Sequence, residues 1–185
     1  MAVGESTGTP PPGLSGRDRE GQCLQQGMRA LGLAAEHGIV DRLLDYIALV
    51  RKWSGSYNLV ARKDLESLVS RHVLDSLSIH AHVRPGTLLD VGSGAGFPGL
   101  PLAIVRSDLE VTLLDSAGKK ARFLRQAARS LELRNVMTVE ERLERFHPGR
   151  EYSTITSRAF GSLLEFATGI RHLASPWTRA LAMKA

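Results

Sequence analysis

The chain has 185 residues, 43% of them hydrophobic and one of them cysteine, with 24 Lys and Arg against 19 Asp and Glu for a net charge of +5. That length suits one α/β domain with a small accessory piece, and the lone Cys23 excludes both a disulfide framework and a cysteine-clustered metal site. No run approaches the roughly 18 apolar residues of a membrane helix and no secretion signal opens the chain, so a cytoplasmic enzyme is the simplest expectation; its basic balance favours a polyanionic partner or is merely that of a basic soluble protein.

Residues 1–20 carry Gly, Ser, Thr, Pro and charge with almost no large apolar side chain, and Pro10, Pro11 and Pro12 stand in a row. This segment is expected to be a disordered tail. Residues 21–84 read as a helical region. Leu24, Met28, Leu31 and Ala35 recur at helical spacing up to Gly38, and Ile39, Leu43, Tyr46, Ile47 and Val50 make a second amphipathic helix. The stretch Arg51 to Leu59 reads as a loop in which Trp53 and Tyr57 either stack bases or anchor helix packing, the second being favoured. Leu65, Leu68, Val69, His72, Val73, Ser76, Leu77 and His80 then form one continuous stripe, which predicts a single helix over 64–82 with Asp64 as its N-cap. His72 on that stripe, three residues before Asp75, is read as a hydrogen-bonded core histidine, with a catalytic role as the alternative.

Arg84-Pro85-Gly86 closes the helical region, and residues 85–185 read as an α/β domain. Thr87 to Val91 is a short buried-type strand, Gly92, Gly94 and Gly96 remove every second Cβ from the turn after it, and Pro98 and Pro101 fit the first turn of a helix starting near Phe97. A ligand can lie directly against such a backbone. Gly94-Ala95-Gly96-Phe97-Pro98-Gly99 matches G-x-G-x-x-G, which alone is a weak dinucleotide signature. Asp90, at the strand end, would repel a pyrophosphate but suits a cationic amino acid moiety such as that of S-adenosylmethionine, which has no phosphate. A glycine turn needed only for tight strand-to-helix packing is the less favoured alternative, because three glycines plus an acid exceed what packing requires.

Glu110 to Asp115 is the next strand and again ends in an acid, at about the 20-residue offset from which a carboxylate reaches ribose hydroxyls. Asp115 is therefore a ribose ligand or, less favoured, a helix N-cap. The helix Ala117 to Leu131 turns Lys119, Lys120, Arg122, Arg125 and Arg129 outward, as a track for RNA phosphates or as an ordinary solvated face. Asn135 to Val139 is a third strand, and the groups after it are placed to meet an adenine ring. Tyr152 to Thr156 is the fourth strand, with Ser157-Arg158-Ala159-Phe160 next at the same carboxyl edge; Gly161 to Leu173 is helical and Arg179 to Lys184 is a fifth strand.

The segment after the fourth strand limits the target. Methyltransferases acting on exocyclic amines place Asn/Asp-Pro-Pro-aromatic there, and those acting on pyrimidine C5 need a cysteine nucleophile; neither is present. A target with an in-plane lone pair, such as guanine N7, needs neither group, and catalysis is then mainly proximity and orientation. Arg158 stays protonated and is no base. It can hold a phosphate, a guanine O6 or the cofactor carboxylate.

From about Leu31 to Lys184 the sequence resembles the RsmG (GidB) methyltransferases. The resemblance is carried by Lys52-Trp53 with Tyr57-Asn58-Leu59, Arg71-His72-Val73-Leu74-Asp75-Ser76, Asp90 to Gly99, Leu114-Asp115-Ser116 with Lys119-Lys120, and Ser157-Arg158-Ala159-Phe160. It implies a doubly wound, mostly parallel Rossmann-like sheet of the class I methyltransferases with an N-terminal helical extension, and methylation of guanine N7 in 16S ribosomal RNA from S-adenosylmethionine. By resemblance, cofactor contacts fall on Gly92, Phe97, Leu143, Glu144 and Arg158; the glycine turn adds Gly94 and the ribose argument adds Asp115. The expected partner is small-subunit ribosomal RNA or the ribosomal particle, with no metal and no membrane, and the expected state is a monomer. No catalytic residue is assigned. The family continues past the position of Lys184 with further strands, so a C-terminally incomplete domain is expected, and a catalytically inactive cofactor- or RNA-binding remnant is the alternative. A nicotinamide-dependent oxidoreductase is a distant third.

Overall fold

The computed structural model describes residues 15–184. Five strands form one all-parallel sheet in the order β3-β2-β1-β4-β5: β1 Gly86–Val91, β2 Leu109–Leu114, β3 Val136–Val139, β4 Thr154–Arg158 and β5 Arg179–Met183. The chain moves outward from β1 through β2 to β3, then crosses back to place β4 on the other side of β1. Loops leaving the carboxyl ends of β1 and β4 therefore diverge, and a crevice opens between them. Both loops carry residues that the sequence singles out.

Alternation along the strands explains the two layers that cover this sheet. Leu88 of β1 and Leu109, Val111 and Leu113 of β2 point to one face, where they meet α4 (Gly99–Val105), α5 (Gly118–Ser130) and the helical region. Leu89, Val91 and Leu114 point to the other, against Leu143, Tyr152 and α6 (Leu163–Gly169). The helical region has no separate core. Tyr46, Val50 and Leu77 are buried in the same cluster as Leu88, Leu100 and Phe123.

The N-terminal helices differ from their expected bounds for local reasons. Residues 1–14 of the expected tail lie outside the described residues, but 15–20 are not a tail: α1 is Gly16–Ala30, opened by a capping box in which the Ser15 hydroxyl accepts from the Asp18 N–H and the Asp18 carboxylate accepts from the Ser15 N–H. That helix ends at Leu31, not at Gly38. Gly32 takes φ +76, its N–H donates to the Arg29 carbonyl, and the Leu33 N–H donates to that of Met28, the two bonds of a Schellman stop.

Helix α2 spans His37–Tyr57 and absorbs most of the stretch read as a loop. Trp53 decides this by packing: its ring lies 5.7 Å from that of Phe123 and 5.0 Å from that of Tyr57. The expected single helix over 64–82 is broken instead into a 3-10 turn (Arg62–Asp64), a π-helix (Leu68–Leu74), a short α3 (Asp75–Ser78) and a second 3-10 turn (His80–His82). Asp64 is therefore no N-cap. π segments recur at functional sites because they redirect side chains out of helical register, and this one carries His72.

Close packing rather than turn conformation explains Gly99. A Cβ there would collide with the end of the Leu113 side chain and lie 2.8 Å from Asp90 Oδ2. Gly99→Ala is expected to destabilise the protein by about 1–3 kcal/mol, the usual effect of overpacking a filled core. A shift of the urea unfolding midpoint with unchanged m-value will show it; an unshifted midpoint contradicts this packing account.

Candidate functional site

The turn after β1 is tied at several points. The Gly92 and Ser93 N–H groups donate to the Leu114 carbonyl at the end of β2, at 2.8 and 3.1 Å. Gly92 takes φ +68 and Gly96 φ +94, conformations that a side chain would strain. The Asp115 carboxylate accepts from the Gly94 N–H at 2.8 Å and from the Ala117 N–H at 2.9 Å. From the helical region, the buried Tyr46 hydroxyl donates to the Ala95 carbonyl at 2.7 Å, and burial pushes its pKa well above the usual phenol value, so it remains a donor.

Asp90 does not face a ligand. Its side chain is fully buried beneath the turn, where Oδ2 accepts the Gly99 N–H at 3.0 Å and Oδ1 has no partner. The expectation that it meets a cationic moiety directly is therefore corrected: the missing Cβ at Gly99 lets the carboxyl lie under the start of α4. Burial pushes Asp90 up to about 7, against the lowering effects of the Gly99 N–H and the nearby Arg158 charge.

Two connected cavities open beside the turn. The smaller, about 260 Å³, is lined by Gly92, Leu114, Asp115, Glu141, Leu143 and Phe160 among others. The larger, about 820 Å³, lies between the turn and the helical region, with Gly94, Phe97, His72 and Asp75 in its wall. Gly92, Lys120, Arg158 and Ala159 border both, which makes them one elongated cleft. Six of the seven residues singled out from the sequence thus converge on it: Gly92, Gly94, Phe97, Asp115, Leu143 and Arg158. Glu144 does not. It is exposed in the 3-10 turn Leu143–Arg145 and lines a neighbouring hollow with Glu165 and His172, while Glu141 takes the place in the cleft.

Arg158 is the last residue of β4 rather than part of the loop beyond it, and it pairs in register with Met183. Its side chain, only 12% exposed, crosses the cleft to the helical region. One guanidinium nitrogen lies 2.7 Å from His72 Nδ1, another lies 3.5 Å from Asp75 Oδ2, and the guanidinium carbon sits 4.7 Å above the Phe97 ring. Ala159 comes next with φ +59, a strained conformation of the kind that collects at functional sites. His72 is therefore half-buried at the cleft wall rather than a core histidine. Periodicity could not reveal this, because its partner is 86 positions away.

The cleft's mouth is basic. Lys63, Arg71, Lys120 and Lys184 join Arg158 around the larger cavity, with Asp64 and Asp75 as the acids in that cavity's lining. On α5, Arg125 is paired with Glu140 at 2.9 Å. The donor set fits S-adenosylmethionine by chemistry. Exposed turn backbone can approach a ligand closely, Asp115 has carboxylate lone pairs for a ribose diol, Leu143 is an apolar neighbour for a base, and Arg158 is a cation for a carboxylate. Among the described residues no three His, Cys, Asp or Glu side chains are grouped to hold a metal ion, and no helix is long and apolar enough to cross a membrane.

A titration separates the structural role of Asp90 from the cleft. Its folded pKa of about 7 lies above the unfolded carboxylate value of about 3.9, so the folded state binds the extra proton between them and stability falls as pH rises through that window. Asp90→Asn retains an acceptor for Gly99 and does not titrate. Relative to that variant, the wild type is expected to lose about 2–3 kcal/mol between about pH 5 and about pH 8, measured by urea unfolding. Titration of His72 is common to both proteins and cancels; parallel pH profiles would contradict the assignment.

Similarity to known proteins agrees with this geometry. A family model described as GidB, rRNA small subunit methyltransferase G, matches residues 39–185. The ribosomal RNA small subunit methyltransferase G of Methylobacillus flagellatus is 47% identical over 163 residues, covering 88% of this chain and 80% of its own. The protein of the same name from Pseudomonas aeruginosa is 49% identical over 162 residues, covering 87% and 76%. Two solved structures share the fold: coclaurine N-methyltransferase bound to N-methylheliamine and SAH, with TM-score 0.53 at 15% identity over 91% of this chain and 60% of that one, and a SAM-dependent methyltransferase from Aquifex aeolicus, with TM-score 0.50 at 19% identity over 70% and 68%.

Proposed function

This chain belongs to the GidB family, rRNA small subunit methyltransferase G, and from that premise we propose that it methylates N7 of a guanine in 16S ribosomal RNA. The observation that carries the proposal is the cleft in which Gly92, Asp115, Leu143 and Arg158 converge at the point where the strand order reverses. Its cofactor is S-adenosylmethionine, which when bound supplies a methyl group on a sulfonium. In this reading the cofactor-binding residues are Gly92, Gly94, Phe97, Asp115, Leu143 and Arg158. Glu144 is the one residue of the seven that lines the neighbouring hollow and not the cleft.

Each of these groups has a limited task. The glycine turn leaves backbone open for close approach, and its ties to Asp115 and Tyr46 keep it rigid. Asp115 accepts hydrogen bonds from ribose hydroxyls without giving up its backbone bonds, because each carboxylate oxygen has a second lone pair. Arg158 holds the carboxylate of the methionine end. The part of the larger cavity beyond Gly94 and Phe97 is left for the target nucleotide, and Lys63, Arg71, Lys120 and Lys184 in its lining meet the phosphates on either side. The division near residue 84 is then functional: the region 21–84 walls the nucleotide cavity and the domain 85–185 holds the cofactor.

No general base is required of the chain. A guanine N7 attacks with an in-plane lone pair and loses no proton, so alignment supplies the rate. Neither a cysteine nucleophile nor an Asn/Asp-Pro-Pro-aromatic segment is present at the cleft, which agrees with that class of target.

The test is methyl transfer from labelled S-adenosylmethionine to small-subunit particles and to naked 16S RNA, with digestion of the product to nucleosides. Label in 7-methylguanosine is the expected result, and label in any other nucleoside contradicts the N7 assignment. Arg158→Ala is expected to lower kcat/KM by roughly 10–100-fold, the effect of losing one charge-assisted contact. Unchanged kcat/KM would remove Arg158 from the binding set.

A further inference from the structure

We infer that His72 and Asp75 form a two-point clamp that aims the Arg158 guanidinium into the cleft. The inference rests on the reading of Arg158 as a cofactor contact and adds two positioning residues to it.

Hydrogen-bond chemistry fixes the direction of the first contact. A guanidinium has donors only, so the 2.7 Å contact between Arg158 and His72 requires Nδ1 to accept. The proton of a neutral imidazole with a free Nδ1 lone pair is on Nε2. His72 Nε2 is buried with no partner, so this arrangement leaves a donor unsatisfied. It persists at a cost to stability, as expected of a group retained for what it does to Arg158. The second contact is the Asp75 carboxylate, 3.5 Å from the other terminal nitrogen. With Phe97 beneath the guanidinium carbon, three contacts fix the plane. The Arg158 backbone is held in β4, so only the side chain can swing, and its remaining N–H groups are those available to a ligand.

His72 and Asp75 are three positions apart, a spacing that places two side chains on one side of a helical segment. They come from the π-helix and from the start of α3, whereas Arg158 comes from the sheet. The clamp thus joins the helical region to the strand that borders the cofactor cleft.

The clamp opens in acid. The charged and titratable groups that act on His72 are Arg158 from β4, Asp75 from α3, Asp64 from the preceding 3-10 turn, and Arg71 on its own segment. Burial, and then the Arg158 charge, hold its pKa below the ordinary 6.5, while Asp64 and Asp75 act in the opposite direction. Protonation removes the Nδ1 acceptor and sets an imidazolium against a guanidinium. Arg158 then loses its first anchor.

Two readouts that need no RNA test this. In the protein without cofactor, nitrogen-15 spectra of the histidines should show His72, assigned by its loss in His72→Asn, as the Nε2–H tautomer with a midpoint below 6.5; in Arg158→Ala that midpoint should rise. An Nδ1–H tautomer, or a midpoint indifferent to Arg158, overturns the clamp even if methylation is normal. Calorimetric titration with S-adenosylmethionine should give roughly tenfold weaker binding for His72→Ala, the loss that one hydrogen bond to a charged group accounts for. His72→Asn offers a side-chain oxygen near the Nδ1 position and does not titrate, so it should recover most of the affinity and lack the acid limb of the Kd against pH profile. Any limb due to Asp90 is shared with the wild type. Wild-type affinity in His72→Ala, or His72→Asn as weak as His72→Ala, overturns the clamp; normal cofactor affinity in Arg158→Ala instead overturns the reading of Arg158 on which it rests.

Discussion

The turn between β1 and α4 is held from below by a buried contact, the Asp90 carboxyl accepting the Gly99 N–H at 3.0 Å. Two further ties come from elsewhere in the chain, Asp115 at the end of β2 to Gly94 and Tyr46 of α2 to the Ala95 carbonyl. Two elements remote in sequence, together with Asp90 of the adjoining strand, thus fix a backbone segment that has few side chains of its own. That is the arrangement a ligand-binding turn needs, since a rigid open backbone presents donors without reorganising.

Much of this is legible in the sequence. The buried strands β1, β2 and β4 announce themselves as short apolar runs, and alternating glycines with two prolines mark the turn and the helix start. Asp115 is legible through its offset and is found in the cleft, bonded to the Gly94 turn rather than standing as the N-cap of α5, a position held by Ala117. Asp90 is misread from sequence because composition and spacing show that an acid is present, not which way it points; the deciding fact is the space left by the missing Cβ at Gly99. The early start of α1 escapes notice because capping by Ser15 and Asp18 outweighs a low apolar content. His72 is misplaced because its stripe reads as continuous helix, while the fold interrupts that helix with a π segment to face Arg158.

The site also explains why a helical region precedes the α/β domain. It has no core of its own, and from it Tyr46 bonds the turn while His72 and Asp75 contact Arg158 in the cleft. A bare Rossmann-like sheet would leave the cofactor crevice open on that side. With the helical region in place, the larger cavity gains a wall and part of its basic rim, in Lys63 and Arg71. This matches a small cofactor bound in the inner part of the cleft and a polyanion at its mouth.

The most direct measurement of the central claim is a crystal structure with S-adenosylhomocysteine. The predicted complex has the ribose hydroxyls on the Asp115 carboxylate, the base beside Leu143, the amino acid carboxylate on Arg158, and an open path from the sulfur to the cavity walled by His72 and Lys63. A ligand seated instead in the hollow of Glu144, Glu165 and His172, or one that leaves Asp115 and Arg158 without contact, would contradict it.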